Sequence, residues 1–218
     1  MAGAILIEDF EVIPRLTQLG LPKDIVLDIF DKAVGDRARV NASDPAATAG
    51  NEMRRWLTRY LRDDPRLKAL GWVVCAHGQL EGIRNDLLKI KLVPLNTDAN
   101  AGVPSKAPVS VSDKGPAAEK VINGNEDRRQ GGLFGNLDVE AVPDPLADYD
   151  FLYFCVHASD KSLSAEISRP SGLLKAHVAY YSERIVLSQP GQKPGLRRVG
   201  PVQEDFAEIE KPSIVRQG

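Results

Sequence analysis

The chain has 218 residues, which is enough for one domain with additional loose segments. Hydrophobic residues make up 43% and charged residues 27%, so a sizeable core can be buried. The net charge of -2 excludes a global basic field that would drive avid, non-specific nucleic-acid binding, but it leaves room for a local basic patch.

The sequence also bears on location. No apolar run approaches the roughly 20 residues that a membrane span needs. The N-terminus, Met1–Asp9, has no basic stretch and turns acidic, so we expect no signal peptide. Two cysteines cannot form a disulfide framework. The prediction is a cytoplasmic protein with no membrane partner.

Two helices are predicted in the N-terminal part. The first begins at Pro22, where a missing N–H costs nothing, and ends at Gly35. The second lies between Pro45 and Pro65 and has apolar residues on one face only, which predicts that this face packs on a core. Its apolar stripe consists of Met53, Trp56, Leu57, Tyr60 and Leu61.

Strand patterns follow these helices. Residues 72–77 form a short apolar run and residues 86–94 alternate, so the two segments predict an antiparallel hairpin joined by a turn rich in Gly and Asn. Residues 151–157 are apolar on both faces, as in a central strand, and residues 162–168 alternate cleanly. Residues 173–187 fit a short helix followed by a strand.

Together these elements predict an α+β fold, with N-terminal helices packed on one face of a mostly antiparallel sheet of four or five strands. Residues 1–94 and 148–189 would form the single core. Residues 95–147 are rich in Pro, Gly and polar residues, which predicts a flexible insertion with one short helix over residues 116–122. Residues 190–218 predict a poorly ordered tail.

Two Cys-x-His pairs, Cys75 with His77 and Cys155 with His157, end apolar strands. Side chains at i and i+2 share a strand face, so pairing of the two strands would bring four zinc-type ligands together. The spacing matches no common zinc knuckle, and buried cysteine is frequent in cores without a metal. We therefore predict core packing, no metal and no cofactor, with a zinc site as the alternative.

The polar face of the second helix is rich in arginine. Such a face can contact the phosphates of nucleic acids. The alternative is a solvated face whose charge is balanced by neighbouring acidic residues. The arginines are Arg54, Arg55, Arg59 and Arg62.

Catalytic motifs are scarce. The chain has no Gly-x-Ser-x-Gly elbow, Walker loop, dinucleotide fingerprint or His-Glu-x-x-His. A divalent-metal nuclease needs clustered carboxylates, for which Asp86, Asp150 and Glu166 are the candidates. Glu166-Ile-Ser168 lacks the lysine of a Glu-x-Lys pair, and these acids also fit a half-solvated sheet. The sequence leaves catalysis undecided and favours a protein that is not an enzyme.

A Gln-x-x-Leu-Phe segment, Gln130 with Leu133 and Phe134, lies in the predicted insertion. Short linear motifs place apolar anchors in a partner's pocket. The spacing resembles the pentapeptide by which many bacterial DNA-processing proteins dock on the sliding clamp, although Gly131-Gly132 departs from the usual Leu followed by Ser or Asp. Packing on the chain's own domain and docking on another partner are the alternatives.

From Asn41 onward, a series of landmarks resembles an uncharacterised bacterial family associated with integrative elements, plasmids and prophages. The family has no established activity, so the resemblance supplies no catalytic residues. It implies that the Cys-x-His pairs are not part of the family pattern, whereas the glutamine segment is. The landmarks are Asn41–Pro45, Gly50, Arg59–Arg62, Leu70–Trp72, Lys114–Pro116, Asn123, Gln130–Phe134, Ala165–Pro170, Tyr181–Leu187 and Ile214–Arg216.

The leading functional hypothesis is a non-catalytic accessory protein of a mobile element or DNA transaction. It would bind a protein partner, with the sliding clamp as one candidate, through the Gln-x-x-Leu-Phe segment. Two alternatives stay open. They are a divalent-metal-dependent nuclease and a nucleic-acid-binding module that uses the arginine face.

Overall fold

The computed structural model describes residues 3–40, 43–45, 48–77, 80–129, 148–159 and 161–191. These residues form an α+β fold, which confirms the predicted class. Its elements in chain order are β1 (Ala4–Leu6), α1 (Asp9–Gln18), α2 (Lys23–Arg37), α3 (Thr48–Asp63), α4 (Pro65–Ala69), β2 (Trp72–His77), β3 (Leu80–Asn85), β4 (Ile90–Asn96), α5 (Pro116–Arg129), β5 (Asp150–Ala158), β6 (Leu163–Leu174) and β7 (His177–Ser188).

The strands form one mixed sheet in the order β1-β7-β6-β5-β4-β3-β2. It has seven strands within the described ranges, so the prediction of four or five was too low. The β1/β7 and β4/β5 pairs are parallel and the other four pairs are antiparallel. Parallel neighbours need a crossover connection, and the chain between β4 and β5 supplies one that contains α5.

The central strand β5 is buried on both faces, as its continuous apolar run predicts. Leu152 and Phe154 belong to the larger core, which the N-terminal helices cover, whereas Phe151 and Tyr153 belong to a second core on the opposite face. The alternation follows from the two-residue period of a strand. Packing of the N-terminal helices on one face of the sheet is confirmed.

Helix α5 contributes to the second core and holds a polar side chain against the sheet. Ile122 is fully buried there. The side-chain amide of Asn125 donates to the Phe151 and Pro170 carbonyls at 2.8 and 3.1 Å, and its oxygen accepts from the Phe151 N–H at 2.9 Å. These bonds satisfy the buried amide and join α5 to two strands.

The first part of the segment predicted as a flexible insertion has regular structure. Residues 97–129 include a bridge between Thr97 and Ser110 and all of α5. The short helix expected over residues 116–122 extends to Arg129, and Gly124 lies inside it because tertiary packing outweighs the weak helix propensity of glycine. Gly35 likewise lies inside α2. Residues 130–147 and 192–218 are outside the described part.

The predicted hairpin of residues 72–77 and 86–94 is wrong in its pairing. Residues 80–85, expected to be a turn, form β3, which pairs with both β2 and β4. The actual turn lies at residues 86–89, where Lys89 has a φ of 54°. No helix forms over residues 173–187, because Lys175 and Ala176 make a tight turn with positive φ between β6 and β7.

Candidate functional site

A cavity opens where β3 turns away from β4. The β3/β4 register ends at the Ile83–Leu92 pair, whereas β5 pairs with β4 as far as Asn96. At the end of this register Gly82 lets β3 lie close against β4, because a Cβ there would lie 2.0 Å from the Leu92 carbonyl oxygen. Pro94, which lacks an N–H, stands in the half of β4 that has no partner on the β3 side.

The cavity has a volume of about 470 Å³, within the range of small-molecule sites. Its walls combine apolar residues from β3 and β4 with the loop before α5 and the first turn of that helix. The lining residues are Arg54, Leu80, Val93, Pro94, Leu95, Asn96, Ser112, Asp113, Lys114, Gly115, Pro116, Ala117, Ala118 and Tyr153.

Tyr153 lines this cavity and carries a buried polar group. Tyr153 is 1% exposed, and its buried hydroxyl has no hydrogen-bond partner among the residues that the structure describes. Burial raises the pKa of this phenol well above its ordinary value, so the group stays a neutral donor. A buried polar group without a partner costs about 1–3 kcal/mol, so a hydrogen-bond acceptor from outside the described residues would stabilise this hydroxyl.

Two cations face the same cavity. Lys114 is half-buried, and its ammonium donates to the Ser112 hydroxyl at 2.8 Å. Burial, followed by repulsion from Arg54, lowers the pKa of Lys114. The Arg54 guanidinium has no hydrogen bond or ion pair to any residue in the described ranges. The two side chains therefore form a local positive charge that only Asp113 opposes within the lining.

Two hydrogen bonds position the segments that carry these cations. The Asn96 side chain donates to the Gly50 carbonyl at 2.8 Å, and this fixes the start of α3 beside the end of β4. Arg54 lies four residues after Gly50 and so on the same helix face. On the other side, the Lys114 N–H donates to the Ala176 carbonyl at 2.7 Å.

Asp113, the acid near these cations, is paired with a histidine. Asp113 accepts from His177 Nε2 at 2.9 Å, and its side chain is 78% exposed. The first turn of α5, from Pro116, adds the positive end of a 14-residue helix dipole to the cavity. Cations, a neutral hydroxyl donor and a helix N-terminus together favour a bound anion.

The arginine face of α3 lies next to this cavity. A more open groove of about 660 Å³ shares Arg54 with the cavity and contains all four predicted arginines, together with Asn51, Thr58, Asp63 and Glu81. Arg55 and Arg59 stack over the Trp56 ring at 4.8 and 5.2 Å. Arg62 instead donates to the Gly82 and Cys75 carbonyls, so it mainly joins α3 to the sheet.

The carboxylates predicted for a nuclease do not come together. Glu166 pairs with Cys155, five residues along β5 from Asp150, which separates the two acids by about 16 Å. Glu166 is fully buried and accepts from Arg184, Ser168 and the Gly102 N–H. Such acids cannot share one ion at normal oxygen–metal distances. This three-acid nuclease site is therefore not formed.

The other two acids each have basic partners of their own. Asp150 accepts from Arg128 at 3.2 Å and from Arg169 at 2.6 Å. Asp86 accepts from Arg84 and from the Tyr149 hydroxyl, both at 2.7 Å, and these bonds lower the pKa of Asp86. Both carboxylates therefore join neighbouring elements of the sheet.

The two Cys-x-His strands do not pair. Strands β3 and β4 lie between β2, with Cys75 and His77, and β5, with Cys155 and His157, which is a separation of about 14 Å. Burial raises the pKa of the Cys155 thiol well above its ordinary value, which disfavours the thiolate that zinc needs. Across the described residues, no group of three or more His, Cys, Asp or Glu could hold a metal. The condition for a shared zinc site is not met.

Tyr153 and Lys114 were not predicted from the sequence. Tyr153 lies in an apolar run, where a tyrosine normally indicates core packing, and Lys114 lies in the segment interpreted as an insertion. Lys114-Gly-Pro116 was a landmark of the family resemblance, and a proline at the start of a helix was the available signal. Gln130, Leu133 and Phe134 fall outside the residues described, so their prediction is untested.

Comparison of the chain with family models, curated proteins and solved structures finds no match. In the ranges that the structure describes, no helix is long and apolar enough to cross a membrane.

Proposed function

We propose that this chain is a non-catalytic binding protein whose cavity at the start of α5 holds a phosphate group. The observation that carries the proposal is Tyr153, which lines a cavity together with Arg54 and Lys114 and whose buried hydroxyl has no partner among the described residues. A phosphate oxygen would accept a hydrogen bond from the hydroxyl and neutralise both cations.

The size and composition of the cavity support a ligand larger than a single phosphate. Leu80, Val93 and Leu95 provide an apolar wall opposite the charged groups. Mostly apolar cavities with a few convergent polar groups are typical of sites that orient an organic ligand by its charged end. The ligand class is therefore an organic phosphate.

Isothermal titration calorimetry of the whole chain with pyrophosphate at low salt tests the proposal. We expect saturable binding at one site, weakened about tenfold in Arg54→Gln and in Lys114→Gln, since each removes a charge-assisted hydrogen bond. Lys106→Gln, at an exposed lysine outside the cavity, is the matched control and should bind as the parent does. Absence of saturable binding, or equal affinity in all three variants, would refute the proposal.

We keep the protein-partner hypothesis as a second proposal, because the Gln-x-x-Leu-Phe spacing begins directly after the last residue of α5. In that proposal Gln130, Leu133 and Phe134 bind a protein partner, with the sliding clamp as one candidate. The cytoplasmic location, the link to mobile elements and the resemblance to the bacterial family belong to the same proposal and stay predictions.

A further inference from the structure

We infer that the organic phosphate is the phosphorylated end of a single nucleic-acid strand, whose following nucleotides lie along the arginine groove of α3. The inference rests on the proposed phosphate site and specifies that its ligand is a nucleic acid. Arg54 lines both the cavity and the groove, so the two spaces adjoin at one cation. A ligand held at Arg54 can therefore extend from one space into the other.

The groove repeats positive charge along a line. Arg54 and Arg59 are five residues apart on α3, a rise of about 7.5 Å. That length is enough for neighbouring phosphates of one strand to contact different arginines. Repeated guanidinium groups fit a repeated phosphate backbone, whereas a phosphopeptide would bring one phosphate and leave the exposed Arg55 and Arg59 with only their weak surface ion pairs.

The groove is lined by Asp63 and Glu81, and Glu81 lies 3.5 Å from Arg62. The acids beside Arg55 and Arg59 do not block such a ligand. Arg55 is 3.2 Å from Glu52 and Arg59 is 3.6 Å from Asp63, and in three of these four residues the side chain is more than half exposed. Exposed ion pairs of this kind contribute little, so a phosphate can replace the carboxylate. Stacking on Trp56 holds the Arg55 and Arg59 guanidinium groups in place before the ligand arrives.

A strand end fits the cavity better than an internal phosphate does. The cavity is lined by the cations Arg54 and Lys114, by Tyr153 with its unpartnered hydroxyl, and by the N-terminus of α5. A terminal phosphate monoester carries close to two negative charges at neutral pH and three free oxygens, whereas an internal phosphodiester carries one charge. Because the cavity offers more positive charge and more donors than one phosphodiester can use, it favours the terminal phosphate monoester.

Fluorescence anisotropy with a labelled 12-nucleotide strand tests this inference on the whole chain. Three versions of the strand carry a 5′-phosphate, a 3′-phosphate or no phosphate, as DNA and as RNA. We expect at least tenfold tighter binding for one phosphorylated end, and a salt dependence that becomes less steep in the Arg55→Gln, Arg59→Gln double variant. That variant should lose at least tenfold more affinity for the strand than for pyrophosphate.

The charge-matched control is the Arg39→Gln, Lys68→Gln double variant, which removes two exposed cations outside the cavity and the groove. It should bind the phosphorylated strand as the parent does, and circular dichroism should show that both double variants stay folded. Equal affinity for all three strand versions, or a phosphopeptide that competes better than the strand, would overturn the inference. If pyrophosphate still binds in that case, the proposed phosphate site stands; if pyrophosphate also fails to bind, both fail.

Discussion

Arg184 donates to both carboxylate oxygens of Glu166, at 2.9 and 2.6 Å, in a pair that is almost completely buried. Glu166 also accepts from the Ser168 hydroxyl at 2.6 Å and from the Gly102 N–H at 2.8 Å. The loop after β4 is thereby attached to β6 and β7. The acid that the sequence offered as a metal ligand has a structural role in the described fold.

Replacing Glu166 by Gln should therefore destabilise the protein strongly. The substitution leaves the Arg184 charge buried without a counter-charge, which typically costs about 3–5 kcal/mol. Urea unfolding at pH 7 measures the change. The Glu166→Leu, Arg184→Met double variant removes both charges and should be less destabilised than Glu166→Gln. A loss below about 1 kcal/mol in Glu166→Gln would contradict this account.

The Gln-x-x-Leu-Phe hypothesis makes a separate prediction about protein binding. A 125–137 peptide should bind purified sliding clamp saturably if the clamp is the partner, because Leu133 and Phe134 would fill an apolar pocket. Changing both to Ala should abolish this binding, since each anchor contributes buried apolar area. A scrambled peptide of the same composition is the control. A lack of saturable binding would exclude the clamp as the partner.

The fold could be predicted from sequence where one physical pattern dominated. The apolar stripe of α3 and the continuous run of β5 both gave correct elements, because burial decides the structure of such segments. Residues 80–85 were missed because Gly82, which usually indicates a turn, here permits close approach to β4. The tight turn at Lys175 and Ala176 carries no glycine, so its sequence gave no turn signal.

The candidate site was less accessible to sequence reasoning than the fold. The arginine face of α3 was recognised, because helical spacing places its members together. Lys114 and Tyr153 are 39 positions apart in the chain, and only the crossover from β4 to β5 brings them to one cavity. The lack of a hydrogen-bond partner for Tyr153 is a property of the folded packing, which no local pattern contains.

Asp31 on α2 should make the stability depend on pH. Burial, with the charge of Asp28 as the smaller cause, raises the pKa of Asp31 to about 6 from its ordinary 3.8, and one of its carboxylate oxygens is buried without a partner. The folded state therefore holds this proton more tightly than the unfolded state does. The contribution to stability is fully present below pH 4 and is lost as the pH rises to about 6.

The Asp31→Asn variant should not lose stability in this way as the pH rises, because the amide does not ionise. We expect it to raise the free energy of unfolding at pH 7 by about 1 kcal/mol, less than the full pKa difference would give, because Asp31 is partly exposed. Urea unfolding between pH 4 and pH 7 measures the effect. If the parent and Asp31→Asn lose stability equally over that range, the decline has another source.

Tyr153→Phe separates ligand binding from stability, since the two should change in opposite directions. Removing a buried hydroxyl that has no partner should leave the ligand-free protein as stable as before or raise its stability by about 1 kcal/mol, which is roughly 2–4 °C in Tm for a chain of this size. Affinity for pyrophosphate should fall about tenfold, because the bound phosphate loses one donor.

Differential scanning calorimetry and titration of the same preparations measure both quantities. Tyr181→Phe is the matched control, because Tyr181 is also buried but lies outside the cavity, with its hydroxyl 3.9 Å from the Cys155 sulfur. It should leave pyrophosphate affinity unchanged. A Tyr153→Phe protein with a lower Tm and the affinity of the parent would contradict this prediction. It would mean that the hydroxyl stabilises the fold and does not contact the ligand, because removing an unpartnered group should not destabilise the ligand-free protein.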